Sequence, residues 1–129
     1  MKAKSLKGKS IDDIAMAFDA CTSDGFKPTL AIVFISIKQD RTSITELLNK
    51  NNIAIFGSTT SGEFIDGEIG DGSIAMLLLD MNPAYFKFLF QDATDHTTLQ
   101  NAIHLGEEGK RTFGNPAFII VSGWLQTEG

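Results

Sequence analysis

A chain of 129 residues, 43% hydrophobic and 21% charged, has the size and balance of about one folded domain and excludes a disordered polymer. Its formal net charge of -5, from 11 basic and 16 acidic residues, argues against nucleic acid or an anionic membrane surface as the main partner. A single cysteine, Cys21, rules out an internal disulfide framework and points to a reducing compartment. The opening MKAKSLKGKS lacks an apolar signal core, and no apolar run approaches the ~18 residues of a membrane span. The chain is therefore read as soluble and cytoplasmic.

Lys2, Lys4, Lys7 and Lys9 alternate with Ala3, Ser5 and Leu6 as in a charge-protected edge strand, the competing reading being a phosphate-binding patch. Ser10 followed by Asp13 marks a helix start, and Ile11, Ile14, Ala15, Phe18 and Cys21 recur at helical spacing up to Gly25. Cys21 then falls on the buried stripe, with no basic group one turn away to activate its thiol. TLAIVFISI at 29–37 is a central strand by its β-branched and aromatic content. Ser43 and Glu46 make a capping-box pair over Ile44, Leu47 and Leu48, in a helix ending near Asn51 or Asn52. The next apolar run, Ile53, Ala54, Ile55 and Phe56, is then the second strand of a parallel crossover.

That strand leads into Gly57, Ser58, Thr59, Thr60, Ser61, Gly62 and Glu63, the candidate ligand-binding residues. Open α/β sheets bind ligands beyond the carboxyl ends of parallel strands, and glycines allow close approach of backbone. The Gly-x4-Gly spacing resembles a phosphate loop, but Glu63 and Phe64 replace its lysine and hydroxyl residue, and a carboxylate repels phosphate. Nor is it a nucleophile elbow, since position 59 is Thr rather than Gly. Hydroxyls and amides suit a carboxylate, and Glu63 suits an ammonium group, which together describe a zwitterion such as an amino acid. An ordinary connector loop, with Glu63 capping backbone amides, is the competing reading.

Further along, EFIDGEIGDG at 63–72 interleaves carboxylates with glycines. The spacing of Asp66, Glu68 and Asp71 misses the calcium-loop pattern, so turns explain it better than a metal. SIAMLLLD at 73–80 and YFKFLF at 85–90 are expected to be an antiparallel pair joined at Asn82 and Pro83, with Lys87 pointing to water or to a carboxylate. Thr97 or Thr98 opens a last helix in which Leu99, Ala102, Ile103 and Gly106 share a face. His96 and His104 are taken as surface or structural residues. NPAFIIVS at 115–122 repeats the polar-proline-strand pattern of KPTLAIVFIS at 27–36, through a truncated duplication or through composition alone. In the first case Trp124 and Leu125 would form an apolar patch covered by a second copy of the chain.

FGSTTSGEFIDGEIGDGSIAMLLL at 56–79, preceded by PTLAIVFIS at 28–36, resembles the amino-terminal FIST domain, named for F-box and intracellular signal transduction proteins. Gly57, Thr59, Thr60, Gly62, Glu63, Gly72, Ser73, Ile74 and Ala75 match that family's strand ending in G-x-[ST]-[ST]-x-G-E and its later G-S-[IV]-A strand. The resemblance implies an intracellular sensory module that binds a small ligand, amino acids being the leading class, and signals to partner domains or to the rest of a longer chain. It carries over no catalytic residues and implies no cofactor.

The fold expected is α/β: a mixed, mainly parallel central sheet with flanking helices and one antiparallel hairpin, in one domain over residues 1–129 that belongs to a larger whole. Two other functions stay open. One is a hydrolase-like enzyme with Thr59, Thr60 or Ser61 as nucleophile and a base from elsewhere; the other is an assembly module without a ligand, homo-oligomeric through its apolar edges.

Overall fold

The structure is a computed structural model that describes residues 1–92 and 97–121, with the backbone alone described at 64, 65, 68 and 69. The chain forms two compact units, Met1–Phe86 and Lys87–Gly129. The first begins with strand β1 (Ala3–Gly8) and helix α1 (Ile11–Thr22). Ser10 caps α1 by accepting from the Asp13 amide at 3.1 Å, and the Asp13 carboxylate reaches back to accept from the Lys9 amide at 2.9 Å. That return bond from Lys9 is the main reason the Asp13 carboxyl lies below its ordinary pKa. Ser10→Ala is expected to cost about 1 kcal/mol, read as a lower midpoint in urea with an unchanged slope.

Strand β2 (Leu30–Ser36), helix α2 (Arg41–Lys50) and strand β3 (Ala54–Thr60) make the predicted crossover, and β2 and β3 are parallel neighbours. The cap of α2 is Asp40 and not Ser43: its carboxylate accepts from the Thr42 amide at 2.9 Å and from the Ser43 hydroxyl at 2.5 Å. An aspartate at the turn after β2 competes for the capping position one turn ahead of the serine and starts the helix earlier. The helix ends where Asn52 takes a φ of 57°, a left-handed conformation asparagine tolerates.

Short strands β4 (Glu63–Ile65) and β5 (Glu68–Gly70) form an antiparallel hairpin on the two-residue turn Asp66-Gly67. Both turn residues have positive φ, 50° and 83°, as the tight turns matching strand twist demand. Turn chemistry accounts for Asp66 and Gly67 in the acidic, glycine-rich stretch, while the residues on either side of them pair as strands. Strand β6 (Ile74–Leu79) completes a four-stranded sheet of order β1-β6-β2-β3, in which β6 runs antiparallel to both its neighbours. The architecture is the expected α/β mixed sheet, with one parallel pair, two antiparallel pairs and a separate hairpin.

Leu6, Met76 and Val33 lie in one cross-strand row and Leu78 beside Ala31 in the next. These side chains form one core with Ile14 and Phe18 of α1 and Ile44 and Leu48 of α2, so both helices cover the same face. β1 is the lysine-bearing edge strand predicted. Within it, the Lys4 ammonium donates to the Cys21 carbonyl at 2.5 Å and to Asp24 at 2.8 Å, and lies 5.0 Å from the Phe26 ring centre. Cys21 packs half-buried against the core, and burial pushes its thiol pKa up, as expected of a structural cysteine.

The expected hairpin between 73–80 and 85–90 does not form. Both lateral sides of β6 are already paired, by β1 and by β2, so a strand after it has no edge to join. The chain instead turns at a short 3-10 helix (Pro83–Tyr85) capped by Asn82, whose side chain accepts from the Ala84 amide at 2.9 Å.

In the second unit, helix α3 (Thr98–Phe113) starts at a capping box of Thr97 and Gln100 and ends at Gly114 with a φ of 72°. Its buried side is turned from the predicted stripe: Leu99 and Ile103 are exposed, whereas Gly109 is buried with the Phe118 ring against it. A Cβ at Gly109 would meet that ring at 2.4 Å, so glycine lets the two segments touch. Lys87 does find the anticipated carboxylate, pairing with Glu108 at 2.7 Å, and Arg111 engages the same group. Residues 115–121 are not a strand, unlike the segment at 30–36 that they resemble. His96, Ser122, Trp124 and Leu125 lie outside the described residues.

Candidate functional site

The string of hydroxyls read as a loop is strand as far as Thr60. β-Branched threonines suit a strand, and pairing with β2 continues to the match of Ser36 with Thr60. Pleating therefore divides the row. Ser58 and Thr60 share the face of Phe56, and Thr59 shares the opposite face with Gly57 and Ile55. Gly57, Thr59, Ser61 and Gly62 are exposed, and Ser58 and Thr60 half-buried. The Ser58 hydroxyl donates to the Thr59 carbonyl at 2.9 Å.

Gly57 has a structural reason to be glycine. A Cβ there would lie 1.8 Å from the Val33 carbonyl oxygen and 2.7 Å from its carbon, so β2 and β3 meet at a point where no side chain fits.

Glu63 is 2% exposed and points inward. Its Oε1 accepts from the Thr60 hydroxyl at 2.5 Å, and its Oε2 accepts from the Ser73 amide at 3.0 Å and the Ser73 hydroxyl at 2.9 Å. One carboxylate thus ties the end of β3 to the start of β6 across the base of the β4–β5 hairpin. Burial pushes the Glu63 carboxyl up, but the bonds from Thr60 and Ser73 outweigh it and hold the group below its ordinary value of 4.5.

The structure therefore brings Thr60 and Glu63 together and does not make one cradle of all four hydroxyls. It adds three residues that the sequence reading left without a role. Ser73 shares the carboxylate. Ser36, 2% exposed at the end of β2, accepts from the Lys38 amide at 3.3 Å. Gln39 links the segments on either side by donating to the Lys9 and Gly72 carbonyls, each at 2.7 Å. Ser73 had a signal in the Gly72-Ser73-Ile74-Ala75 pattern; Gln39 had none. Among the described residues, no three His, Cys, Asp or Glu side chains converge as a metal would require.

No protein-family model matches this chain, and neither the curated proteins nor the solved structures contain a match to it. No helix among the described residues is long and apolar enough to cross a membrane.

Proposed function

We propose that the protein is a non-enzymatic, intracellular sensory module of the FIST type that binds a small ligand of the amino-acid class and passes the signal to partner domains. The observation that carries the reading is the accessibility of Thr59, Ser61 and Gly62 at the carboxyl end of a parallel strand pair, beside a carboxylate already committed inside the protein. The hydroxyls and amides of that segment suit the ligand's carboxylate. Glu63 becomes a positioning residue: with both oxygens engaged by Thr60 and Ser73, it shapes the segment and leaves the ligand's ammonium to carbonyl and hydroxyl oxygens.

The same geometry makes Glu63 a poor base for the hydrolase alternative, which would still need a base from elsewhere. Thr60 donates its proton to a carboxylate whose pKa lies below the ordinary range, and such a group is a weak base. Calorimetric titration with the free α-amino acids, their methyl esters and their N-acetyl derivatives tests the proposal. Saturable binding of at least one free amino acid is expected, lost on esterification and weakened about tenfold by Ser61→Ala, the usual cost of a hydrogen bond to a charged group. Absence of saturable heat across the panel into the millimolar range would sink the proposal, and covalent capture of a hydroxyl of the segment by an activated ester would favour the enzyme.

A further inference from the structure

The two edges of the four-stranded sheet are built differently. β1 carries Lys4 and Lys7 within the strand and Lys2 and Lys9 at its ends, a charged border that discourages pairing with another strand. β3, at the other edge, reads AIFGSTT, with no charge and no proline, and the neutral run extends from Ile53 to Gly62. The Ala54 amide donates to the Thr29 carbonyl at 2.9 Å, which sets the phase of the parallel ladder. Ala54, Phe56, Ser58 and Thr60 turn their amides and carbonyls toward β2, and Ile55, Gly57 and Thr59 turn theirs outward. Among the described residues no strand pairs with that outer side. The Ser58 hydroxyl on the Thr59 carbonyl leaves that oxygen a second lone pair.

We propose that the outer edge of β3 is an interface with a second copy of this chain, paired antiparallel about a twofold axis at Gly57. A twofold axis normal to a sheet makes adjacent identical strands antiparallel, and the outward-facing groups are then mutually in register. Gly57 faces Gly57 of the second copy, and Ile55 faces Thr59 in both directions. The neutral run lets the strand meet itself without like-charge repulsion. The same pairing is closed to β1, where lysines would oppose lysines. The product is a continuous eight-stranded sheet with a lysine-bearing strand at each end, in which the neutral edge of β3 is paired. Sheet extension of this kind draws its strength from main-chain hydrogen bonds, so it needs no special side-chain pocket.

Sedimentation velocity over a wide concentration range, on the ligand-free 129-residue chain, tests the interface independently of the ligand proposal. A reversible dimer is expected, with the Gly57 and Thr59 amides slow to exchange with deuterium at high concentration and faster on dilution. Thr59→Pro deletes an amide that makes no bond to β2. It is expected to raise the dimer dissociation constant about tenfold or more, through the loss of one hydrogen bond per copy, while the far-ultraviolet spectrum stays that of the parent. If that variant fails to fold, Thr59→Lys, which charges the neutral edge, is expected to weaken the dimer likewise. A parent chain monomeric at all concentrations, or a dimer unaffected by the substitutions, would overturn the proposal. So would Gly57 and Thr59 amides protected in a monomer, since a strand of the same chain would then fill the edge.

Discussion

Gly57→Ala is expected to produce the largest loss of stability of any single methyl added to the sheet. The new carbon would lie 1.8 Å from the Val33 oxygen and 2.7 Å from the Val33 carbon, and both obstacles are backbone, so no rotamer change relieves the overlap. Relief requires β3 to move away from β2, which breaks ladder bonds on either side of Gly57 and disturbs the contact of Ile55 with the core. Overpacking with ordinary side chains costs about 1–3 kcal/mol, and a rigid obstacle belongs at or beyond the top of that range, a large part of the stability of a small domain. Chemical denaturation should show either no folded baseline or a midpoint far below the parent's. A midpoint within experimental scatter of the parent would mean that the strands are not so closely apposed at Gly57.

Glu63 is the second position with a large expected effect, and its two substitutions separate charge from shape. Glu63→Ala strands the Ser73 amide and the Thr60 and Ser73 hydroxyls and opens a cavity, at a cost of about 3 kcal/mol. Glu63→Gln keeps the shape: its carbonyl can accept from Ser73 and its amide can donate to the Thr60 oxygen, so the cost should fall to about 1 kcal/mol. The pH dependence has a definite sign. Because the folded protein holds this carboxyl below 4.5, its contribution is complete above that value and fades as pH falls through the lower folded-state pKa, where protonation weakens the bonds from Ser73. Urea midpoints of parent and Glu63→Gln should therefore differ most near neutrality and converge in acid. Curves that stay parallel down to the onset of acid unfolding would show that the ionised form confers no stability there.

Features that depend on a few adjacent residues were legible in the sequence. Alternating lysines announced an edge strand, Ser10 and Asp13 a helix start, and the aspartates and glycines of 63–72 turns, of which Asp66-Gly67 is one, because each is fixed by local sterics and hydrogen bonding. The parallel pairing of β2 and β3 followed from the length of the crossover between them. Properties that depend on what lies alongside were not legible. YFKFLF has strand composition, yet β6 has no free side to offer it, a fact created by Ala3–Gly8 some eighty residues earlier in the chain. The hydroxyl row looked like a loop because glycine, serine and threonine suit connectors, but β2 supplies partners as far as Thr60 and the pleat then sends neighbours to opposite faces. The inward turn of Glu63 depends on Ser73, ten positions away, whose nearness the hairpin creates.

The position of β1 carries a consequence for how the molecule is made. Ala3 lies beside Leu79 and Gly8 beside Ile74, so β1 is translated well before the strand it pairs with. The crossover from β2 through α2 to β3 closes over a short span and can assemble early, whereas the amino-terminal lysine strand must wait for residues 74–79 to be translated. During that interval its charges keep the nascent segment hydrated, so the residues that guard a border of the finished sheet also protect an unfinished one.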